Sequence, residues 1–402
     1  MRILMGIPFL YPAIGYGGAA RSAYDLSCAL HDLGHHVTVL TTDVWDARKR
    51  YVSNGSIPPF EVVRVPNLSN KLAYYFQFYT PLGILKHAER LLAECDILHL
   101  HTFRNLHNDL LARTAVKQGK PFVLSGHGTI PRIERFQFIK KMYDLMIGRW
   151  QLDNAAGYLA VSIPERRAMK RMALPAEKIR VIPNGVGEVQ IPDAGSFRKR
   201  WGLDPAEKII LFLGKITPRK GVQHLVRAFA RIRNQGRLVI AGNDMGYASR
   251  IRRLISEHRL QDRVLWTGLL NDEERFEALS DADVTVHPSV NEVFGLVPLE
   301  SIMSGTPVIV CDDDGCGQII RKTGAGDLVP WGDSSALSYA ISKRLQEGKN
   351  PEEIQRAQEN IRLHFNWHLI AREITRFYQT CLEFPAEIRA LQQPLVATAL
   401  KR

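Results

Sequence analysis

Cysteine is scarce and follows no pairing pattern: Cys28, Cys95, Cys311, Cys316 and Cys381 are scattered over 402 residues. An odd, dispersed set argues against a disulfide framework and for a reducing compartment. Only Cys311 and Cys316 are close, and without a second pair at matching spacing they read as two ordinary thiols rather than half of a zinc site. Long apolar runs are missing as well. No window offers the roughly 18 uninterrupted apolar residues of a spanning helix. The apolar start from Ile3 to Ile7 meets Pro8 before reaching the about 7 to 15 residues of a secretory core. The expectation is a cytoplasmic, unexported chain. Disorder has no compositional footing either, since 45% hydrophobic and 23% charged residues are ordinary for a globular protein of two or three domains.

Acidic residues are in deficit, 41 against 53 Lys and Arg, for a net charge of +12. The excess is N-terminal: residues 1–190 hold 24 basic against 15 acidic side chains, a net of +9, and the remainder a net of +3. Such a balance suits nucleic acid, an anionic membrane surface or phosphorylated ligands and by itself selects none of them. No recognised nucleic-acid module accompanies the charge, so nucleic acid is not expected as a partner.

Apolar runs of strand length alternate with helix-length amphipathic stretches along the chain, which predicts an α/β protein with parallel sheets covered by helices on both faces. Strands are expected at Arg2 to Ile7, His36 to Leu40, Val62 to Val65, Asp96 to His101, Phe122 to Ser125, Gly157 to Val161 and Ile179 to Ile182. A second series follows at Lys208 to Leu213, Arg237 to Ala241, Val264 to Trp266, Val284 to Val286, Val308 to Val310 and Asp327 to Val329. Two consecutive doubly wound units result, with the break in the Pro- and Gly-rich segment Pro183 to Pro205. The expected division is residues 1–186, residues 187–365, and a C-terminal helix and tail over 366–402 that returns to the first unit. Ligands of open parallel sheets sit outside the carboxyl ends of strands, so the segments just after strands carry the search for chemistry.

After Val284 to Val286 comes a turn into a helix that holds Glu292 and Glu300, eight residues apart, around Val293-Phe294-Gly295-Leu296. With the helix starting near Phe294, the N–H groups of Gly295 and Leu296 point out of its positive end, where phosphate oxygens are favoured. Glu292 reaches the far side of the same ligand, and Glu300 on the second turn can accept two hydrogen bonds from vicinal hydroxyls. Two glutamates at this spacing are more often a solvated helix face. The Phe-Gly-Leu insert and the return Ser304-Gly305-Thr306-Pro307-Val308 set this pair apart. The strand ending at Leu213 runs into Gly214-Lys215-Ile216-Thr217-Pro218-Arg219-Lys220-Gly221. Lys215 and Lys220, bracketed by glycines that let backbone approach a ligand, suit a diphosphate that becomes more anionic as a bond breaks. The competing reading is a solvated loop.

In the first unit, Gly15-Tyr16-Gly17-Gly18-Ala19-Ala20 precedes a helix and fits a dinucleotide-binding pattern, with Asp43 after the next strand. In that pattern the first glycine follows the strand directly, whereas here Pro8 to Ile14 intervene, which weakens a nicotinamide reading. Gly17 and Gly18 would instead let a ligand's phosphates or sugar approach the backbone at a helix N-terminus. His127, in Ser125-Gly126-His127-Gly128-Thr129, stands between glycines at a strand's carboxyl end, and a site role and a structural role weigh equally for it. His99 and His101 share a strand face, but with no third ligand in register a metal is not expected. Two stretches combine aromatic and basic residues: Arg132 to Trp150, and Lys71 to Tyr79 with Tyr74, Tyr75, Phe76, Phe78 and Tyr79. They suit either a membrane interface with a lipid-linked acceptor or a buried helix with a basic outer face.

Taken together these segments resemble the retaining glycosyltransferases of family 4, which have the GT-B fold, and the resemblance runs over nearly the whole chain. Gly214 to Gly221 matches that family's Gly-Arg-x4-Lys-Gly loop, and Glu292 with Glu300 its Glu-x7-Glu signature. Ile182-Pro183-Asn184-Gly185-Val186, Gly34-His35, the glycine loop and Ser162-x2-Glu165 also agree. Lys215 stands where the family usually has Arg, Gly187 replaces an Asp, and Gln318 falls where an acidic residue is usual. These departures bear on donor preference more than on activity. The resemblance implies an acceptor-binding first unit and a nucleotide-sugar-binding second unit facing each other across a cleft. By the same resemblance Lys215 and Lys220 hold the diphosphate, Glu300 the ribose hydroxyls, Glu292 the transferred sugar, and His127 the sugar near the reacting carbon. It implies hexosyl transfer with retention from a UDP- or GDP-linked donor to a glycan or lipid-linked acceptor, with no cofactor and no obligatory metal, in polysaccharide or glycolipid synthesis; the basic excess and the aromatic-basic stretches add an anionic inner membrane face as a candidate location. A nicotinamide oxidoreductase and a non-catalytic sugar-nucleotide binder are the alternatives.

Overall fold

The computed structural model describes residues 1–53, 55, 57–132, 136–187, 191–232, 236–312 and 315–383. Seven parallel strands form the first sheet: β1 (Arg2–Gly6), β2 (His36–Thr42), β3 (Glu61–Val65), β4 (Ile97–His101), β5 (Phe122–Ser125), β6 (Gly157–Ala160) and β7 (Ile179–Val181). Their order is β3-β2-β1-β4-β5-β6-β7, with Met5 of β1 opposite Val39 on one side and His99 on the other. Six more make the second: β8 (Ile209–Leu213), β9 (Arg237–Ala241), β10 (Val264–Gly268), β11 (Val284–His287), β12 (Val308–Cys311) and β13 (Gly326–Val329), in the order β10-β9-β8-β11-β12-β13. The central strands β4 and β8 are buried along their whole length, as parallel sheets under helices require; β8 is a continuous apolar run, and β4 interrupts its own with His99 and His101. Each order reverses once, between β1 and β4 and between β8 and β11, and the loops at those two points carry the candidate residues except His127, which follows β5.

The chain crosses between the units twice, side by side. Val186 pairs in parallel with Asn366, and its N–H donates to the Phe365 carbonyl at 2.8 Å. The helix Trp367–Glu383 then packs Trp367, Ile370, Ile374, Phe377 and Tyr378 into the core beneath β1. Gly185 is what allows this: a Cβ there would stand 2.3 Å from the Trp367 indole. Residues 384–402 of the expected tail lie outside the described residues.

Two local expectations shift. The helix after β11 spans Leu296–Met303 and does not begin at Phe294, because Gly295 takes a left-handed φ of 82° as its cap. β2 continues past Leu40 to Thr42, whose hydroxyl donates to the Pro8 carbonyl at 2.6 Å and so anchors the loop that follows β1.

Candidate active site between the two sheets

The loops after β8 and β11 are pressed together. Gly221 adopts φ +71°, and a Cβ there would lie 1.8 Å from the Pro288 carbonyl oxygen, so only glycine fits behind Lys220. Arg219 completes the contact, accepting from Val290 N–H at 3.0 Å and donating to the Asn291 carbonyl at 3.0 Å. Lys220, ending the short turn Pro218–Lys220, forms an ion pair with Glu292 and lies 3.5 Å from His287 Nε2. Burial alone would raise the Glu292 carboxyl, but Lys220, His287 and Arg219 together outweigh it and hold the group well below the usual carboxylate range. His287 is lowered by burial and by the same lysine, so it stays neutral beside the pair.

Lys215 reaches the other unit, donating to the Tyr16 carbonyl at 2.7 Å. The glycine loop shows why it has no side chains: a Cβ on Gly17 would stand 3.1 Å from Lys215 Cε, and one on Gly18 3.0 Å from Leu296 Cδ1. Gly17 and Gly18 therefore face both Lys215 and the start of the helix Leu296–Met303. The Phe294 ring points the other way, buried against Phe365 at 5.7 Å between centroids, which leaves only its backbone for a ligand. Pro298 has no N–H to offer in the helix's first turn, leaving those of Leu296 and Val297 as its open donors.

Glu300 is buried. One oxygen lies 3.3 Å from Arg275, and Oε2 has no partner among the described residues. A buried carboxylate oxygen left unbonded costs free energy until a ligand donates to it. Arg275 is 3.4 Å from Asp272, and Asp272 accepts from Arg21 at 3.1 Å and from the Tyr11 hydroxyl across the cleft. Arg21 also pairs with Asp25 at 2.9 Å, where burial, partly offset by Arg21, pushes the carboxyl up to about 6. Sequence reasoning missed Arg21, Asp25, Asp272 and Arg275. A usable signal was present for two of them: Arg21 follows the glycine loop directly, and Asp272 opens a helix capped by Asn271 and Glu274.

His127 sits at φ 47° between Gly126 and Gly128. Its loop is braced by buried Glu165, which accepts from Gly128 N–H at 2.6 Å and Val161 N–H at 2.7 Å and is pushed up to about 7 by burial. A Cβ on Gly128 would lie 3.3 Å from Val293, so the His127 loop touches the neighbour of Glu292 from the opposite sheet. Burial lowers His127 to about 4, which leaves the ring neutral near pH 7. His99 is committed elsewhere, to Tyr378 at 2.6 Å and Ser125 at 2.7 Å, and His101 to His127 at 3.0 Å. Among the described residues no group of three or more His, Cys, Asp or Glu could hold a metal ion, and all five cysteines are free thiols.

Around the first unit's rim, Tyr74 and Tyr79 turn inward while Tyr75, Phe76 and Phe78 are exposed. Phe76 meets Phe136 at 6.2 Å, joining this stretch to the helix Gln137–Tyr143, which buries none of its residues. Ile133, Glu134 and Arg135 lie outside the described residues. Tyr74 accepts from Asn243 of the second unit at 2.6 Å, so this rim borders the cleft. Among the described residues no helix is long and apolar enough to cross a membrane.

Comparison with known proteins covers both units. Residues 16–188 match the family model described as Glycosyltransferase Family 4, and residues 193–362 the one described as Glycosyl transferases group 1. An uncharacterized glycosyltransferase of Methanocaldococcus jannaschii is 30% identical over 219 residues, 52% of this chain and 56% of that protein. A D-inositol 3-phosphate glycosyltransferase of Acidothermus cellulolyticus is 32% identical over 51% of this chain and 49% of its own length, so the chain spans about half the length of these two relatives. A phosphatidyl-myo-inositol mannosyltransferase of Mycolicibacterium smegmatis is 26% identical over 94% of each chain. Among solved structures, Anabaena HepE in complex with UDP and glucose superposes with a TM-score of 0.72, at 18% identity, over 94% of this chain and 99% of that one. That likeness is one of fold: two facing Rossmann-like domains in the GT-B arrangement.

Proposed function

The chain belongs to the group 1, family 4 glycosyltransferases, and from that membership we propose that it moves a hexose from a UDP- or GDP-linked donor to a hydroxyl of a glycan or lipid-linked acceptor, with retention at the anomeric carbon. The observation that carries the proposal is the meeting, at the carboxyl ends of both sheets, of Lys215, the Lys220–Glu292 pair and Glu300 with its unbonded buried oxygen. Glu300 Oε2 takes the ribose hydroxyls. Lys215 turns from the Tyr16 carbonyl to the diphosphate, and Lys220 shares its charge between Glu292 and the β-phosphate. The bond from the anomeric carbon to the diphosphate oxygen breaks with its electron pair going to that oxygen, where two ammonium groups and the start of the helix Leu296–Met303 meet the growing charge. The acceptor oxygen bonds to the same face of the sugar and its proton passes to the departing phosphate. Glu292 and neutral His127 hold the sugar's hydroxyls meanwhile. Because the lysines supply the positive charge, the reaction should run unchanged in EDTA.

For the acceptor, the exposed Tyr75, Phe76, Phe78 and Phe138 beside Lys71 and Lys141 support peripheral docking on the anionic inner face of the cell membrane, with a lipid-linked acceptor at the cleft's rim. The test is a thermal-shift screen over UDP, GDP, ADP and their sugars, followed by transfer assays and NMR of the product's anomeric configuration. Stabilisation by one nucleoside diphosphate and an α-linked product from an α-linked donor are expected. No stabilisation by any nucleotide and no sugar released from any donor would reject the proposal.

A further inference from the structure

Beside His127 lies a small cavity of ≈ 20 Å³, lined among others by Ser22, His101, Ser125, His127 and Trp367. That is room for one water molecule. Three polar atoms of its lining residues, Ser22 Oγ, His101 Nε2 and Trp367 Nε1, are buried without a partner among the described residues. The residues are 2%, 1% and 8% exposed, so bulk solvent does not satisfy these atoms. Buried polar groups are ordinarily bonded, to ordered water if not to protein. The three come from distant parts of the chain: the helix Gly18–Asp32, strand β4, and the first residue of the helix that returns from the second unit.

We propose that one water, accepting from Trp367, occupies this cavity and that through it His101 sets which ring nitrogen of His127 carries the proton, making His101 a positioning residue for the candidate active site. His101 Nδ1 and His127 Nε2 lie 3.0 Å apart, and one of them must donate to the other. Burial lowers His127 to about 4 and His101 well below the ordinary histidine value, so both rings are neutral and each carries one proton. Two arrangements are then available, and His101 Nε2 decides between them.

The indole N–H can only donate. A water that accepts from it keeps both of its own protons, and it can give one to His101 Nε2 and the other to Ser22 Oγ. Every O–H of the water is then used. If His101 Nε2 were instead protonated and donated to the water, one water proton would lack an acceptor among the three groups, and buried orphaned donors are the rarer and costlier kind. His101 therefore carries its proton on Nδ1 and donates it to His127 Nε2. His127 is left with its proton on Nδ1, the nitrogen that bonds to none of the described residues, and offers a ligand a donor rather than a bare acceptor. Trp367 also seats the interdomain crossover, with Gly185 against its ring and the Val186–Asn366 pairing beside it. The crossover thus reaches the candidate site through one indole, one water and two imidazoles.

What His127 does with that proton rests on the proposed transfer reaction; where the proton sits does not. Full-length protein labelled with [15N]histidine, with the His127 signals assigned by their loss in His127→Asn, reports the protonated nitrogen of each ring by long-range 1H–15N correlation. The expected wild-type pattern is a protonated Nδ1 on both His101 and His127. Trp367→Phe and Ser22→Ala both leave His101 Nε2 as an acceptor for the water and should keep the pattern, whereas His101→Phe removes the donor to His127 Nε2 and should move the His127 signals toward the Nε2-protonated form. A wild-type His127 protonated on Nε2 overturns the proposal whatever the variants do, and so does an unchanged His127 pattern in a cooperatively melting His101→Phe protein. A chain that transfers no sugar would still give this spectrum, so the two failures are separable.

Discussion

Lys220 and Glu292 form an ion pair between loops that leave the adjacent strands β8 and β11, with side chains only 14% and 15% exposed. The two residues were assigned to different parts of one ligand, diphosphate and sugar, and the structure has them neutralise each other. Breaking so sheltered a pair strands a charge. Lys220→Met is expected to destabilise the protein by about 3 kcal/mol, the low end for removing one partner of a buried pair. Lys220→Met/Glu292→Gln should recover part of that, since an amide needs no counter-charge. Urea unfolding checks it, and a double variant no more stable than the single one would mean that the pair is not coupled.

In assays with a working donor, Lys220→Ala should lower the rate at least about tenfold, because charge at the leaving diphosphate matters more as the bond breaks than before. Full activity in a folded variant would remove Lys220 from the phosphate site.

Glu300 and Glu292 should separate in calorimetry with bare nucleoside diphosphate. Glu300→Ala removes the buried oxygen that has no protein partner and should weaken nucleotide binding. Glu292→Ala releases Lys220 toward the phosphates and should chiefly spoil transfer. Equal loss of nucleotide affinity in both variants would reject that division.

The inner strands were legible because strands buried on both faces are largely apolar, and the half-exposed edge strands β3, β7, β10 and β13 because they keep the regular alternation with helices. The loops that meet were legible for a related reason: Gly221, Gly17 and Gly18 mark places where a Cβ would strike a carbonyl or a facing side chain. Arg21, Asp25, Asp272 and Arg275 were not. Each reads as an ordinary helix-surface charge, and only the apposition of two units about 250 residues apart in sequence turns them into one network. Periodicity was equally mute on the aromatic stretch near residue 75. Tyr74 and Tyr79 are buried while Tyr75, Phe76 and Phe78 face out, because the helix Asn70–Phe76 ends at Gln77 in a left-handed turn that resets the phase.

Acid should destabilise the fold through its buried histidines. His99 has no exposed surface and both ring nitrogens engaged, and burial, with the nearby His127, lowers it to about 3. An unfolded histidine takes up its proton near 6.5, so between those values the unfolded state holds the extra proton. Stability is full above about pH 6.5 and falls as pH drops, at about 1.4 kcal/mol per pH unit for this one group. His99→Gln should therefore show a shallower loss than wild type in urea melts between about pH 5 and 6.5. Parallel slopes would mean that His99 does not titrate as a buried neutral ring.

The last expectation concerns the rim of the first unit. Phe138 is 75% exposed and Met146 72%, and the Phe76–Phe136 contact joins two apolar stretches about sixty residues apart in sequence into one surface. Monomeric proteins seldom leave such surfaces contiguous without a partner. Lys71 and Lys141 are exposed on the same stretches, within the 190 residues that carry a net +9. A lysine near an anionic leaflet is worth about 1 kcal/mol within a Debye length, so several together bind usefully at low salt and release as salt rises. Apolar insertion resists salt, which lets the two contributions be told apart. Liposome co-sedimentation across ionic strength should show Lys140→Glu/Lys141→Glu losing the salt-sensitive part and Phe136→Ser/Phe138→Ser the salt-resistant part. Wild-type protein that ignores anionic liposomes at low salt, or a charge-reversed variant that binds them equally well, would leave these residues without a bilayer partner and make a water-soluble acceptor the better proposal.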